Sequence, residues 1–201
     1  MEARLTPEEV LQGYVVGVFP MARPEEGDAI YWVRPNPRGI IPLDEFHVPG
    51  NLAKLVQRRE FEVRTDQAFE EVVAACADRE STWLSPEIQR VFCSLHEMGF
   101  AHSVEAYHNG DLAGGLYGLA LGGAFFGESM FYRITNASKV ALVHLVNQMQ
   151  AGGYSLLDIQ WATDHLRQFG AREIPRAEYE QRLGKALAER PTWWPLSSSE
   201  K

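Results

Sequence analysis

Apolar and polar positions alternate along the chain with two clear periods, and these divide most of it into short elements. Phe69, Val72, Val73 and Cys76 share one face of a helix expected over 67–77. Ile88, Val91, Phe92 and Leu95 share a face of a second helix, opened by Ser85-Pro86 and stopped at Gly99. Two-residue alternation marks strands at Phe61–Arg64 and Ser103–Tyr107. His108-Asn109-Gly110-Asp111 carries the Asn-Gly signal of a tight hairpin. Strands follow at Leu112–Leu121 and Ala124–Ser129, joined by Gly122-Gly123. Ser138–Ala151 is apolar nearly all round, the pattern of a helix that is buried or laid on a sheet. Ser155–Gln160 and Arg172–Ile174 read as further strands around a short helix capped by Asp164, and Arg176–Glu189 as a charged surface helix. The order strand–strand–strand–helix–strand–helix–strand predicts an α+β (α/β-like) fold with helices packed on a sheet.

The first part of the chain is patterned differently. Thr6-Pro7-Glu8-Glu9 is a helix start, with Thr6 as N-cap, Pro7 at the first helical position and Glu9 completing a capping box. Val18-Phe19-Pro20-Met21 is expected as an exposed apolar corner. Ile30–Val33 and Ile40–Leu43 are short extended pieces around the rigid turn 35–39. Residues 1–45 thus form a small N-terminal subdomain, 46–190 the main domain and 191–201 a flexible tail.

Composition narrows the class. The chain has 201 residues, 45% hydrophobic and 23% charged, an ordinary globular balance. No apolar run reaches the roughly 20 residues of a membrane span. The acidic N-terminus lacks a secretory h-region, so the cytoplasm is the expected compartment. The two cysteines, Cys76 and Cys93, sit within expected helices and are taken as small buried residues. A net charge of −8 disfavours broad nucleic-acid binding but permits a local basic patch. The dense basic cluster is Lys54, Arg58 and Arg59, with Arg34, Arg38 and Arg64 nearby; it suits either a solvated face or a phosphate contact.

Candidate chemistry gathers between Gly114 and Gln160. Asp158 and Gln160, two apart on a strand, share a face, with Ile159 turned into the core. The carboxylate can hold the amide N–H and leave its oxygen as an acceptor, in a site or in a satisfied edge pair. Glu128 leaves an apolar strand, where it suits a cationic ligand or plain exposure. Ser129 is not in a nucleophile elbow, because G-x-S-x-G fails at Phe131. His96, His102 and His108 do not converge on one site, and no metal is expected. The paired glycines do not open a helix in a nucleotide-binding pattern. Trp83 is placed for stacking or for the core.

Taken together, several runs resemble one family. They include Gly17-Val18-Phe19-Pro20-Met21, Pro37-Arg38-Gly39, Thr82-Trp83, Ala101-His102-Ser103-Val104-Glu105, Gly114-Gly115-Leu116-Tyr117-Gly118, Gly127-Glu128-Ser129-Met130, Asn136-Ala137-Ser138-Lys139, Leu157-Asp158-Ile159-Gln160 and Glu173-Ile174-Pro175-Arg176. In this order they resemble bacterial leucyl/phenylalanyl-tRNA–protein transferases. The resemblance implies a GNAT-like acyltransferase domain behind a small N-terminal one. It also implies transfer of Leu, Phe or Met from aminoacyl-tRNA to the N-terminal Arg or Lys of a protein, which marks that protein for degradation. The implied co-substrate is aminoacyl-tRNA, with no cofactor and no metal, and the enzyme is expected to be a monomer away from any membrane. By motif position Gln160 orients the attacking amine, Asp158 polarises Gln160, and Glu128 stands near the acceptor and the tRNA terminus. Ser129, Asn136 and Lys139 are the remaining polar motif positions. Leu116, Phe125, Leu142, Leu145 and Leu157 are expected to line the donor side-chain pocket, and Met21 and Trp83 to cover the terminal adenosine. Lys54, Arg58, Arg59 and Arg38 are expected at the acceptor stem.

Overall fold

The computed structural model describes residues 4–80 and 82–193. Helix α1 (Pro7–Val15) leads into a hairpin of β1 (Phe19–Arg23) and β2 (Ala29–Val33). Then come β3 (Arg38–Ile41), α2 (Gly50–Gln57), β4 (Glu62–Thr65), α3 (Phe69–Ala77) and α4 (Pro86–Glu97). The second half runs β5 (Ala101–His108), β6 (Asp111–Leu121), β7 (Ala124–Tyr132), α5 (Ala137–Gly152), β8 (Leu156–Gln160), α6 (Asp164–Arg167), β9 (Arg172–Ile174) and α7 (Arg176–Leu187).

Local chemistry explains the boundaries. Thr6 caps α1 with the reciprocal Glu9 contact of a capping box. Asn109 and Gly110 both take positive φ in the two-residue turn joining His108 to Asp111. Gly153, also at positive φ, ends α5.

Seven strands form one sheet in the order β4-β5-β6-β7-β8-β3-β9, an α+β arrangement. All neighbours are antiparallel except β7 and β8, which are parallel and joined across α5. Strand alternation divides the core in two. Tyr117, Leu119 and Phe126 face α3 and α4, while Val104, Leu116 and Phe125 share the core around α5. α5 is buried along most of its length, as its all-round apolarity predicts.

Two features of the sheet shape the site. The β7–β8 ladder pairs only Ala124–Phe126 with Leu156–Asp158, whereas β7 continues to Tyr132 against β6 alone. The two parallel strands therefore split, and a cleft opens between them. A register shift between Tyr117 and Gly118 bends β6 opposite the split. Gly118 must be glycine there, because a Cβ would sit 2.3 Å from the Phe126 carbonyl oxygen.

Several expectations are corrected. Residues 18–21 are not an exposed corner: Phe19 and Pro20 are buried in β1, which packs on α1 and α4. Their apolar run satisfies the core beneath the hairpin. β3 lies inside the seven-stranded sheet, between β8 and β9. Cys76 is buried but Cys93 is only half-buried. Trp193, expected in the loose tail, stacks on Phe125 and His102; residues 194–201 of that tail lie outside the described residues.

Candidate active site

The split between β7 and β8 contains a cavity of about 320 Å³, within the size range of small-ligand sites. Its apolar wall includes Leu116 from β6, Leu142 and Leu145 from α5, and Leu157 from β8. Those are four of the five leucine and phenylalanine positions singled out from the sequence. Phe125 is not among the lining residues. Paired with Leu157 on the closed part of the split, it is fully buried against Trp193. Met21 and Trp83 line the same cavity, and the Trp83 carbonyl accepts a hydrogen bond from the Ala22 amide, which ties that loop to β1.

The polar residues meet at the split. Glu128, Ser129 and Gln160 line the cavity. Asp158 does not, and its expected relay to the Gln160 side chain is absent. Its carboxylate accepts from Arg38 Nε (2.9 Å) and Nη2 (2.7 Å), from the Tyr179 hydroxyl (2.6 Å) and from the backbone N–H of Gln160 (2.9 Å). Simple alternation fails because Gln160 takes φ 59°, a left-handed conformation, beside a bulge where Gly39 faces it across the ladder. Ile159, expected in the core, is half-buried against the core and also lines the cavity.

Arg38 is the clearest correction. Expected at the acceptor stem, it is 1% exposed and sandwiched between Phe19 and Tyr179, its guanidinium 4.9 and 4.7 Å from their ring centroids. Its bidentate grip on Asp158 leaves no surface for a phosphate. Lys54, Arg58 and Arg59 lie elsewhere, exposed on α2 and the turn that follows it. Asn136 and Lys139 stand at the start of α5 and do not line the cavity.

Glu128 is electrostatically unusual. Burial pushes its carboxyl up to about 8; the Tyr14 hydroxyl, donating at 2.7 Å, pulls down, Asp158 pushes up and Arg38 pulls down again. Two buried polar atoms of lining residues have no hydrogen-bond partner: Gln160 Nε2 and Tyr117 Oη. An orphaned group of this kind costs about 1–3 kcal/mol until a ligand or water satisfies it.

Comparison with known proteins places the chain in a family. Residues 40–184 match the family described as leucyl/phenylalanyl-tRNA protein transferase, and residues 3–36 match that family's N-terminal domain. The chain belongs to the leucyl/phenylalanyl-tRNA protein transferase family. It is 56% identical over 196 residues to the leucyl/phenylalanyl-tRNA–protein transferase of Salinibacter ruber, covering 98% of this chain and 86% of the relative. It is 55% identical to that of Paramagnetospirillum magneticum, covering 92% and 90%. Among solved structures it has a distant likeness to L-PGS from Bacillus licheniformis, at 15% identity over 71% of this chain and 51% of the other, TM-score 0.43. A GCN5-related N-acetyltransferase from Kribbella flavida is similar at 13% identity over 69% and 55%, TM-score 0.43. No helix among the described residues is long and apolar enough to cross a membrane.

Several residues at this transferase's cleft escaped the sequence reading. Tyr14 lies inside α1 with no signal that its hydroxyl would reach Glu128, and Tyr179 belongs to a helix read as surface. Arg79, Trp161 and His165 line the cavity without belonging to a periodic pattern. Burial and, next, Lys139 lower the His165 pKa. Arg79 donates to Ser129 Oγ and to the Met130 carbonyl, and it borders a second groove of about 470 Å³ with Asp78 and Arg133.

Proposed function

We propose that this transferase moves Leu, Phe or Met from aminoacyl-tRNA to the α-amino group of a protein beginning with Arg or Lys. The product carries a new N-terminal residue that directs it to proteolysis. The donor side chain enters between Leu116, Leu142, Leu145 and Leu157. An apolar wall separates side chains differing by one methylene by only about 1–3 kcal/mol, so one pocket serves all three donors. Met21 and Trp83 cover the terminal adenosine, and the cations of α2 meet the acceptor stem. The enzyme works in the cytoplasm as a monomer.

The chemistry needs little beyond placement. The donor is already an ester, and an α-amino group has a reference pKa of about 7.7–8.0, so a useful fraction is neutral near pH 7. That amine attacks the ester carbonyl. The new C–N bond forms, the C–O bond to the ribose breaks, and the proton lost by the amine ends on the departing ribose hydroxyl. Gln160 orients the amine; Asp158 and Arg38 hold the strand end that presents it. Glu128, poised near neutral pH, is matched to a proton in transit.

The observation that carries this reading is the unpartnered Gln160 amide at the polar end of an otherwise apolar cavity. Its test is transfer from radiolabelled Leu-tRNA to peptides beginning with Arg or with Asp. Label on the Arg peptide alone is expected. Label on the Asp peptide alone overturns the acceptor class, and no transfer to either overturns the activity.

A further inference from the structure

Trp161 is unexplained by the reaction as drawn above. It is 43% exposed although tryptophan is a residue that normally buries most of its surface, and it lines the cavity directly after Gln160. It is nevertheless held in place. Its ring meets Phe19 at 5.5 Å and 86°, and Phe19 in turn lies under the Arg38 guanidinium. A perpendicular contact of that kind occupies at most one face of the indole. The backbone is fixed as well, since Trp161 N donates to the Ile159 carbonyl and Thr163 N donates to the Trp161 carbonyl. A Cβ on Gly39 would come within 2.6 Å of the Trp161 carbonyl carbon, so glycine there lets the turn lie flat on β3. An anchored indole with an open face, beside an amide that lacks its partner, is built to receive something.

We infer that the open face of Trp161 binds the cationic side chain of the acceptor's first residue. The inference rests on the acceptor reading above and adds the means of recognition. If Gln160 orients the α-amino group, the side chain on the adjacent carbon lies within reach of the next residue along the turn. Carboxylate recognition is scarce here: among the lining residues Glu128 is the only carboxylate, and it is engaged by Tyr14. Burial also keeps Glu128 largely protonated near neutral pH. An indole face attracts guanidinium and ammonium alike, and tryptophan does so best among aromatic side chains. It thereby accepts Arg and Lys together, which a rigid bidentate carboxylate site would not do equally. Arg79, the fixed cation of the cavity, stands on the β7 wall, bonded to Ser129 and Met130.

The test compares peptides beginning with Arg and with citrulline, its neutral isostere, on wild type, Trp161→Ala and Trp161→Phe. For Trp161→Ala the KM for the Arg peptide should rise about two- to thirtyfold. The citrulline peptide and the KM for Leu-tRNA should be unaffected, and Trp161→Phe should recover part of the loss. Equal losses on Arg and citrulline would make the indole mere packing and overturn the inference. A raised KM for Leu-tRNA alone would make it a platform for the terminal base, again overturning it. Wild type that labels neither peptide sinks the acceptor reading itself. Wild type that prefers Arg while Trp161→Ala keeps that preference sinks only the role of Trp161. Thermal melts of both variants separate binding losses from misfolding.

Discussion

At the scale of single residues, two carboxylates at the cleft have opposite environments. Glu128 is held by one hydroxyl and pushed up to about 8, whereas Asp158 meets a full set of donors. Because the folded pKa of Glu128 lies above its ordinary value of 4.5, its contribution to stability is full below about 4.5 and is lost as pH rises through about 8. Glu128→Gln should therefore gain stability relative to wild type across that window, by up to about 1.4 kcal/mol per pH unit, as urea denaturation at stepped pH would show. Tyr14→Phe, which removes the stabilising donor, should shift the window upward. Asp158 behaves differently. Asp158→Ala strands a buried guanidinium and should cost about 3–5 kcal/mol, so its loss of transfer reports folding as much as chemistry. Gln160→Ala deletes an amide whose buried Nε2 has no partner, so it should leave stability unchanged or raise it by up to about 1–3 kcal/mol while lowering the transfer rate. Denaturation alongside transfer assays separates the two. Sequence spacing singles out both residues, and the structure sets both at the end of β8, but spacing pairs their side chains where the structure joins the Asp158 carboxylate to the Gln160 backbone. The left-handed turn at Gln160 breaks the alternation that the pairing assumed, and nothing in Leu-Asp-Ile-Gln announces that turn.

At the scale of elements, periodicity was a sound guide wherever one face of an element meets one core. It placed α3, α4, α5 and the β5–β6–β7 meander, because their apolar stripes are long and regular. It could not show that β7 and β8 part company, since the length of a ladder depends on what packs beside it. Nor could it show what holds the entry to α3. Ala68 at its N-cap position supplies no side-chain oxygen; Glu105 from β5 instead accepts from the Gln67 and Ala68 amides just before the helix, at 3.3 and 3.4 Å. Glu105→Ala should free that entry at a cost of about 1–3 kcal/mol, since two part-buried amides lose their acceptor, and hydrogen exchange should quicken at Gln67 and Ala68. That helix ends just before Arg79, so its fraying reaches the cleft through the helix that carries it.

At the scale of the whole molecule, a chain of net charge −8 must hold a polyanion through local charge. Lys54 and Arg59 meet no carboxylate within 4.0 Å among the described residues, and Arg58 has only Glu60 at 3.8 Å. Replacing all three, with Asn at position 59 to suit its φ of 53° and Gln at the others, should weaken tRNA binding. It should also flatten the slope of log affinity against log salt by about two to three. Filter binding across a salt series measures this directly, and an unchanged slope would move the stem contact elsewhere.

β3 lies between β8 and β9, and its Arg38 waits for a partner 120 residues downstream. A ribosome delivers the chain from one end. Phe19, Met21 and Arg38 emerge early, yet the slot that receives β3 does not exist until β8 and β9 have followed. Closing so distant a pair is slow and comes late in folding. Premature termination anywhere before β9 thus yields a fragment with an unplaced strand and a half-built cleft. The same stitch that fixes Asp158 makes activity a certificate of near-complete translation, and leaves abortive products open to the proteases that clear unfolded chains.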